Sequence, residues 1–201
     1  VKKGCRVEAI DSQDSQGRDK LIKFTQINLN DDEAFIPVDQ FDYILLLDVL
    51  EHLENPEDFV YNIRKLSKGK LPKIIVSVPN IGWFTMRLQL LLGRFNYGAR
   101  GILDLGHRRL FTFSTILAIF KQAGFKITKS IGVPAPYPLA IGDSFVSRML
   151  IAINQNLIKV FPSLFSYQIF LVTVPLPTVN ELLQTSRDSS DKRIDEISRT
   201  L

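Results

Sequence analysis

Phe41-Asp-Tyr-Ile-Leu-Leu-Leu-Asp-Val-Leu-Glu-His-Leu53, followed by Asn55-Pro-Glu-Asp-Phe59, is the stretch that decides the fold class. An apolar run that ends in Asp48, Glu51 and His52 is typical of a buried parallel strand whose carboxyl end opens into a polar crevice. Open α/β sheets bind their ligands at such strand ends. The stretch therefore predicts the floor of a small-molecule site, although a buried strand followed by charged residues occurs in any α/β protein.

The flanking sequence alternates between β-rich runs and helical patterns. Helical periodicity follows Asn55-Pro56, with a stop at Gly69 and Pro72, and returns over residues 113–123 and 144–161. Strands are predicted over residues 6–10, 21–29, 43–47, 73–78, 125–129 and 167–174. Such alternation predicts an α/β fold with a parallel-dominated sheet and right-handed crossovers. The last strand is expected to be antiparallel, at the far side of the sheet.

Length and composition fit one ordinary globular domain. The chain has 201 residues, 45% hydrophobic and 23% charged, which suffices for one good-sized core. We predict a domain over residues 1–176 and a polar, disordered or loosely helical tail over residues 177–201, where charges and hydroxyl residues dominate.

Charge and cysteine content narrow the possible partners and setting. The net charge is +4, but the basic residues are spread along the chain, so nucleic-acid binding is not predicted. The single cysteine, Cys5, excludes an internal disulfide and a cysteine-based zinc site. A reducing, cytoplasmic location fits best, because no signal peptide or membrane-spanning run is found.

Several motifs carry a family resemblance. Asp48-Val-Leu-Glu-His-Leu53 resembles the fourth-strand signature of class I methyltransferases that use S-adenosylmethionine. Ile74-Ile-Val-Ser-Val-Pro-Asn80, His107-Arg-Arg-Leu-Phe-Thr112 and Ala123-Gly-Phe125 resemble later blocks of the methionine-biosynthesis type and of methyltransferases encoded beside glycosyltransferases. The resemblance runs from about residue 4 to residue 130. It implies a Rossmann-like sheet with helices on both faces, and methyl transfer to an oxygen or carbon acceptor.

The sequence departs from that family at its beginning. Family members open with a strand and a turn of the form Asp-x-Gly-x-Gly-x-Gly, where glycines let the backbone approach the cofactor. This sequence contains no such motif, and Val1-Lys-Lys-Gly-Cys-Arg-Val7 resembles the stretch just after it. The domain is therefore expected to lack its first strand-helix unit, either as a fragment or as a decayed relative. The alternative function is a non-catalytic homologue that binds a protein or membrane partner.

The resemblance assigns part of the cofactor site to the second and third family strands. Asp11 matches the acidic residue that accepts hydrogen bonds from the ribose hydroxyls, and Asn28-Leu29 falls where the family often places Asp-Leu or Asp-Ile against the adenine. A turn cap is the alternative for Asp11.

The fourth family strand is expected to supply the residues beside the methionine portion of the cofactor. Leu47 and Asp48 correspond to that position, and Val49 lies next to them. Simple core packing is the alternative for Leu47 and Val49.

His52 and His107 are the two histidines of the chain and are the candidate catalytic residues. His52 could serve as a base near the transferred methyl or anchor its loop through a hydrogen bond. His107 belongs to the block that closes over the acceptor side in the family. Asp104 and Arg109 are candidate helpers, with a loop-holding ion pair as the alternative. No metal is implied by the resemblance.

Two amphipathic segments bear on the acceptor. Residues 82–101 mix aromatic and basic side chains, and residues 144–161 form an amphipathic helical pattern. Together with the resemblance, they predict an acceptor that is a small molecule or is linked to a glycan or a lipid. They also allow peripheral membrane contact. Burial of both segments against the sheet is the alternative and is favoured on general grounds.

Overall fold

The computed structural model describes residues 4–14, 20–31, 36–67, 72–179, 182–184, 186–190 and 193. Its strands are β1 (Glu8–Asp11), β2 (Lys23–Gln26), β3 (Tyr43–Leu47), β4 (Lys73–Pro79), β5 (Phe125–Val133) and β6 (Gln168–Pro175). Its α-helices are α1 (Pro56–Leu66), α2 (Phe84–Leu91), α3 (Phe113–Gln122), α4 (Tyr137–Ile141), α5 (Phe145–Val160) and α6 (Pro162–Phe165). Short 3₁₀ turns cover Val38–Gln40 and Leu50–His52.

Local sequence explains where the main helices begin. Pro56 opens α1, and Glu57 and Asp58 complement the positive end of its dipole. Thr112 caps α3 by accepting a hydrogen bond from the amide of Thr115. The predicted stop of α1 at Gly69 and most of the predicted tail lie outside the described residues; within the tail, residues 182–184 and 186–190 are helical.

The strands form a mixed α/β arrangement that is parallel except for β6. The pair β1-β2 is parallel and stands as a two-stranded sheet, while a second sheet has the order β3-β4-β6-β5. β3 is parallel to β4, and β6 is antiparallel to both β4 and β5. The antiparallel direction of the last strand is confirmed. Its predicted position at the far side is wrong, because β6 is inserted between β4 and β5.

The residues of β6 explain this inserted position. Alternate side chains of β6 are fully buried, including Ile169 and Leu171, and they pack into the core cluster with Phe120 of α3, Val60 of α1 and Val76 of β4. A strand this apolar is best accommodated where it has hydrogen-bonded neighbours on both edges.

β3 is less buried than its sequence predicts. It pairs with β4 on one edge only, and Tyr43, Leu45 and Leu47 keep 55%, 57% and 49% of their surface exposed. Ile44 and Leu46, on the alternate positions, contact the core. β3 is therefore an edge strand of its sheet in the described residues, and the expectation of a fully buried strand is wrong.

Buried polar groups fasten the segment after β4 to the one before β6. The amide of Asn80 donates to the carbonyls of Ser163 (3.1 Å) and Ser166 (2.8 Å), and its oxygen accepts from the amide of Gly82 (3.0 Å). Asn80 is fully buried, so these bonds satisfy groups that water cannot reach.

Candidate active site

A cleft at the carboxyl ends of β3 and β4 gathers most of the chemically active side chains of the domain. It has a volume of about 270 Å³. Its walls combine acidic, basic and aromatic residues, namely Asp48, Glu51, Pro79, Arg100, Gly101, Asp104, His107, Tyr167 and Gln168. Parallel strands place their carboxyl ends along one edge, which is why residues far apart in sequence meet here.

Asp48 is the most constrained residue of this cleft. Its φ is 54°, in the left-handed region, and among the described residues it is the non-glycine residue with a positive φ. Its amide donates to the carbonyl of Ser77 (3.0 Å). Its Oδ1 accepts from the hydroxyl of Ser77 (3.2 Å) and from Nε2 of Gln168 (2.9 Å). The end of β3 is thereby tied to β4 and β6.

Glu51 lies inside the protein, in the 3₁₀ turn after β3. It is 1% exposed, and neither carboxylate oxygen has a hydrogen-bond partner among the described residues. Burial raises the pKa of Glu51 to about 8; its own backbone amide acts in the opposite direction, and both the charge of Asp48 and the interaction with its side chain add to the rise. The backbone carbonyl of Glu51 accepts from the amides of Arg108 and Arg109, so this turn supports the loop before α3.

The structure brings the two histidines together. Their ring centroids are 4.9 Å apart, with the planes at 68°. Nδ1 of His52 lies 2.9 Å from the carbonyl of Gly106, and Nδ1 of His107 lies 2.9 Å from the carbonyl of Ile102. His52 thus does anchor the loop, as the alternative to catalysis proposed.

Ion pairs hold the His107 loop against α1 and the turn before it. Arg108 pairs with Glu54 and Arg109 with Glu57, which supports the loop-holding alternative for Arg109. Asp104 accepts from the amide of Gly106 (2.7 Å) and so shapes the turn that His52 contacts. Since both ion pairs are about half exposed, their contribution to stability is small.

The predicted cofactor residues of the first two strands lie elsewhere. Asp11 ends β1, is exposed, and its Oδ1 accepts from the amide of Gln13 (2.9 Å), as in a turn cap. Asn28 follows β2, and its side chain bonds to Asn30 and Asp31.

Leu29 belongs to a second, smaller pocket beside α1. It packs against the core and lines this pocket together with residues such as Asn30 and Phe59. Asn30 accepts from the amide of Glu54 (2.8 Å), which links the loop after β2 to the loop before α1.

Leu47 and Val49 flank Asp48 and have different surroundings. Leu47 is about half exposed, whereas Val49 is half-buried and packs against the core. The packing alternative is therefore observed for Val49. The sequence analysis named Glu51 at the strand end but gave it no role. It missed Tyr167 and Gln168, which the sequence marks only by their position at the start of β6.

Comparisons with known proteins agree with this architecture. The sequence matches the family described as methyltransferase domain over residues 1–130, which is more than half of the chain. No curated protein sequence matches it.

Solved structures with a similar fold are methyltransferases. The 1,6-didemethyltoxoflavin-N1-methyltransferase of Burkholderia thailandensis, solved with S-adenosylhomocysteine, has a TM-score of 0.53 and 15% identity, over 88% of this chain and 64% of that one. A possible histamine N-methyltransferase of Thermotoga maritima has a TM-score of 0.51 and 11% identity, over 79% of this chain and 67% of that one. An S-adenosylmethionine-dependent methyltransferase of Archaeoglobus fulgidus has a TM-score of 0.50 and 16% identity, over 87% of both chains.

These comparisons are consistent with one another. The chain spans about two thirds of the length of the first two structures, and at such low identity the likeness establishes the Rossmann-like fold. The family match over residues 1–130 goes further. The chain belongs to the methyltransferase domain family, whose cofactor is S-adenosylmethionine.

Proposed function

We propose that this chain transfers a methyl group from S-adenosylmethionine to an oxygen or carbon atom of an acceptor. The observation that carries the proposal is the left-handed backbone of Asp48 (φ 54°), at the carboxyl end of a parallel strand and fixed by two side-chain hydrogen bonds. Residues with uncommon backbone angles persist where their surroundings hold them, and they cluster at active sites.

The cofactor would extend along the carboxyl ends of β1, β2 and β3. Asp11 uses one carboxylate oxygen in its turn, which leaves the other available to ribose hydroxyls. Leu29 offers an apolar side chain, whereas the bonds of Asn28 to its own turn weaken its case as an adenine ligand. Leu47, Asp48 and Val49 would lie beside the methionine portion. The methionine-biosynthesis and glycosyltransferase-associated subgroup remains part of the proposal.

The chemical step requires little from the protein beyond positioning. A lone pair of the acceptor attacks the methyl carbon while the carbon–sulfur bond breaks, and sulfur keeps that electron pair in S-adenosylhomocysteine. Holding acceptor and methyl in line supplies much of the acceleration. With Nδ1 of His52 and of His107 directed at backbone carbonyls, the Nε2 atom of either ring can accept the acceptor's proton.

Calorimetric titration of S-adenosylhomocysteine tests this proposal. We expect saturable binding to the 201-residue chain, weakened at least tenfold by Asp11→Ala and by Asp48→Asn. Asp39→Ala is the matched control, because Asp39 is exposed and lines neither the cleft nor the second pocket. Absence of binding by folded protein would refute the catalytic proposal and favour the non-catalytic partner-binding alternative.

The exposed apolar side chains of α2 and α5 support an amphiphilic acceptor and peripheral membrane contact. α2 has no buried residue among its eight, and the buried residues of α5 are the polar Ser147 and Asn154. The apolar side chains of these helices point outward instead, with Leu91 82% and Phe145 79% exposed. The expectation that both segments bury against the sheet is therefore wrong for most of their apolar side chains.

Polar contacts of Asn154 help to hold α5 against the protein. Asn154 accepts from the amide of Ala135 (3.1 Å) and donates to the carbonyl of Phe165 (2.8 Å). The apolar surface left outside suits a lipid-linked acceptor or the membrane that carries it. Among the described residues, no helix is both long and apolar enough to cross a membrane.

Vesicle sedimentation tests the membrane part of the proposal. We expect the chain to co-sediment with vesicles containing anionic lipid, and the double variant Leu91→Ser, Phe145→Ser to lose most of this binding. Tyr61→Ser is the control, since Tyr61 is 58% exposed on α1. Equal sedimentation of both variants would refute a role for the α2 and α5 surface. We also place the chain in the cytoplasm, where its free and exposed Cys5 would stay reduced.

A further inference from the structure

Three potential metal ligands lie close together, and two of them, Glu51 and His107, line the cleft. Glu51 and His52 come from the 3₁₀ turn after β3, and His107 comes from the loop before α3. One ligand atom from each of the three lies within 4.8 Å of the other two. The sequence did not indicate this grouping, because His107 is remote from the other two along the chain and is brought to them only by folding.

Each imidazole ring can offer one nitrogen to a metal ion. A backbone carbonyl can only accept a hydrogen bond, so the Nδ1 atoms of His52 and His107, each 2.9 Å from such a carbonyl, carry the ring protons. In the neutral ring the lone pair is then on Nε2. Metal-binding histidines are held by the same kind of contact from their other nitrogen.

Glu51 is the independent observation that points to a ligand. Its carboxylate is 1% exposed and has no hydrogen-bond partner among the described residues. Burying a carboxyl group without a hydrogen-bond partner is costly, and a bound cation is one of the groups that can remove this cost.

We propose that Glu51, His52 and His107 bind a divalent transition-metal ion. Imidazole nitrogens together with one carboxylate oxygen suit ions such as Zn²⁺, Co²⁺ or Fe²⁺ better than Mg²⁺ or Ca²⁺, which prefer oxygen ligands. At bond lengths near 2.1 Å, tetrahedral ligands are about 3.3 Å apart. The ligand atoms lie within 4.8 Å of one another, so binding requires them to approach by at most about 1.5 Å. Three protein ligands leave at least one position open toward the cleft.

This site uses residues other than the proposed cofactor contacts, but it competes with one part of the proposed function. A histidine bound to metal through Nε2 cannot take a proton at that atom. Metal binding and proton acceptance are therefore alternatives for His52 and His107. The metal site itself does not depend on methyl transfer, because all of its ligands belong to the protein.

The experiment titrates metal alone into the chain. The protein carries no affinity tag and has the substitution Cys5→Ser, because Cys5 is an exposed free thiol that could itself bind metal. A chelator removes any bound metal before the titration. Zn²⁺, Co²⁺ and Mg²⁺ are titrated separately by calorimetry, with Co²⁺ also followed by visible absorption. We expect one Zn²⁺ or Co²⁺ per chain, intense tetrahedral-type Co²⁺ bands, and no saturable binding of Mg²⁺.

Variants and a second measurement locate the ion. Glu51→Gln and His107→Gln should each weaken Zn²⁺ binding at least tenfold, whereas Asp39→Asn should leave it unchanged, because Asp39 is exposed and lines neither the cleft nor the second pocket. Glu51→Gln keeps the shape of the side chain and removes the buried charge, so the apo variant should fold. If His107→Gln does not fold, ¹⁵N NMR of the wild type tests the same point. The Nε2 signals of both histidines should shift when Zn²⁺ is added.

Three results would overturn the proposal: no saturable Zn²⁺ or Co²⁺ binding, equal binding to Glu51→Gln and Asp39→Asn, or unshifted Nε2 signals. Titration of S-adenosylhomocysteine into the same metal-free protein keeps the two proposals apart. Cofactor binding without metal binding refutes the metal site alone, and metal binding without cofactor binding refutes the proposed methyl transfer alone.

Discussion

Replacing Asp48 by glycine and by alanine separates its backbone strain from its side-chain bonds. Both variants lose the acceptor of Ser77 Oγ and Gln168 Nε2. At about 1 kcal/mol for each hydrogen bond, both should be less stable than the wild type by roughly 1–2 kcal/mol. The two variants differ only in how they tolerate the φ of 54° at this position.

The backbone angle at residue 48 decides which of the two variants is the more stable. An L-residue with a Cβ atom costs about 1–2 kcal/mol in the left-handed region, and glycine does not. Glycine in turn costs about 0.4–1 kcal/mol through the greater freedom of the unfolded chain. Asp48→Gly should therefore be more stable than Asp48→Ala by about 0.5–1 kcal/mol.

Urea unfolding followed by circular dichroism measures this difference. Asp39 provides the matched control, because it is exposed, lies in the 3₁₀ turn Val38–Gln40 and has no positive φ. There the order should reverse, with Asp39→Ala more stable than Asp39→Gly. If alanine is also the more stable replacement at residue 48, the left-handed backbone of Asp48 and the argument built on it are refuted.

Three further predictions concern stability and association. Asn80→Ala removes three side-chain hydrogen bonds, including the buried one to the carbonyl of Ser166. It should lower the free energy of unfolding by about 2–4 kcal/mol. A loss below about 0.5 kcal/mol, the size expected of a surface substitution, would contradict this. Gly132→Ala places a methyl 1.8 Å from Ser166 Oγ and should cost about 1–3 kcal/mol, whereas Gly98→Ala, with no atom closer than 3.9 Å, should unfold at nearly the wild-type urea concentration. The exposed edge of β3 should make the chain self-associate in light scattering as its concentration rises, and Leu45→Lys should reduce this; a monomer at every concentration would count against it.

Local chemistry explains the parts of the structure that were predicted correctly. The bounds of β3 follow from an apolar run closed by Asp48, and the start of α1 follows from Pro56. The end of α3 follows from Gly124, whose φ of 83° suits glycine. Each signal depends on neighbours in the chain and therefore needs no knowledge of the tertiary structure.

The candidate site was predicted only in part. Asp48 and His107 do line one cleft, but Asp11 and Asn28 engage their own turns. Turn formation and ligand binding use the same oxygen atoms, and the sequence does not say which use prevails.

By itself, the sequence determined the fold family, the order of the strands and the place of helices α1, α3 and α5, because these depend on periodicity, turn chemistry and local motifs. It missed α4 and α6 and the ends of β2 and β5. Only the tertiary structure decided which strands are neighbours, and so placed β6 between β4 and β5. It also decided that Glu51 is buried without a partner beside His52 and His107. Such facts depend on contacts between residues far apart in the chain, where the burial of one group is set by the packing of all the others.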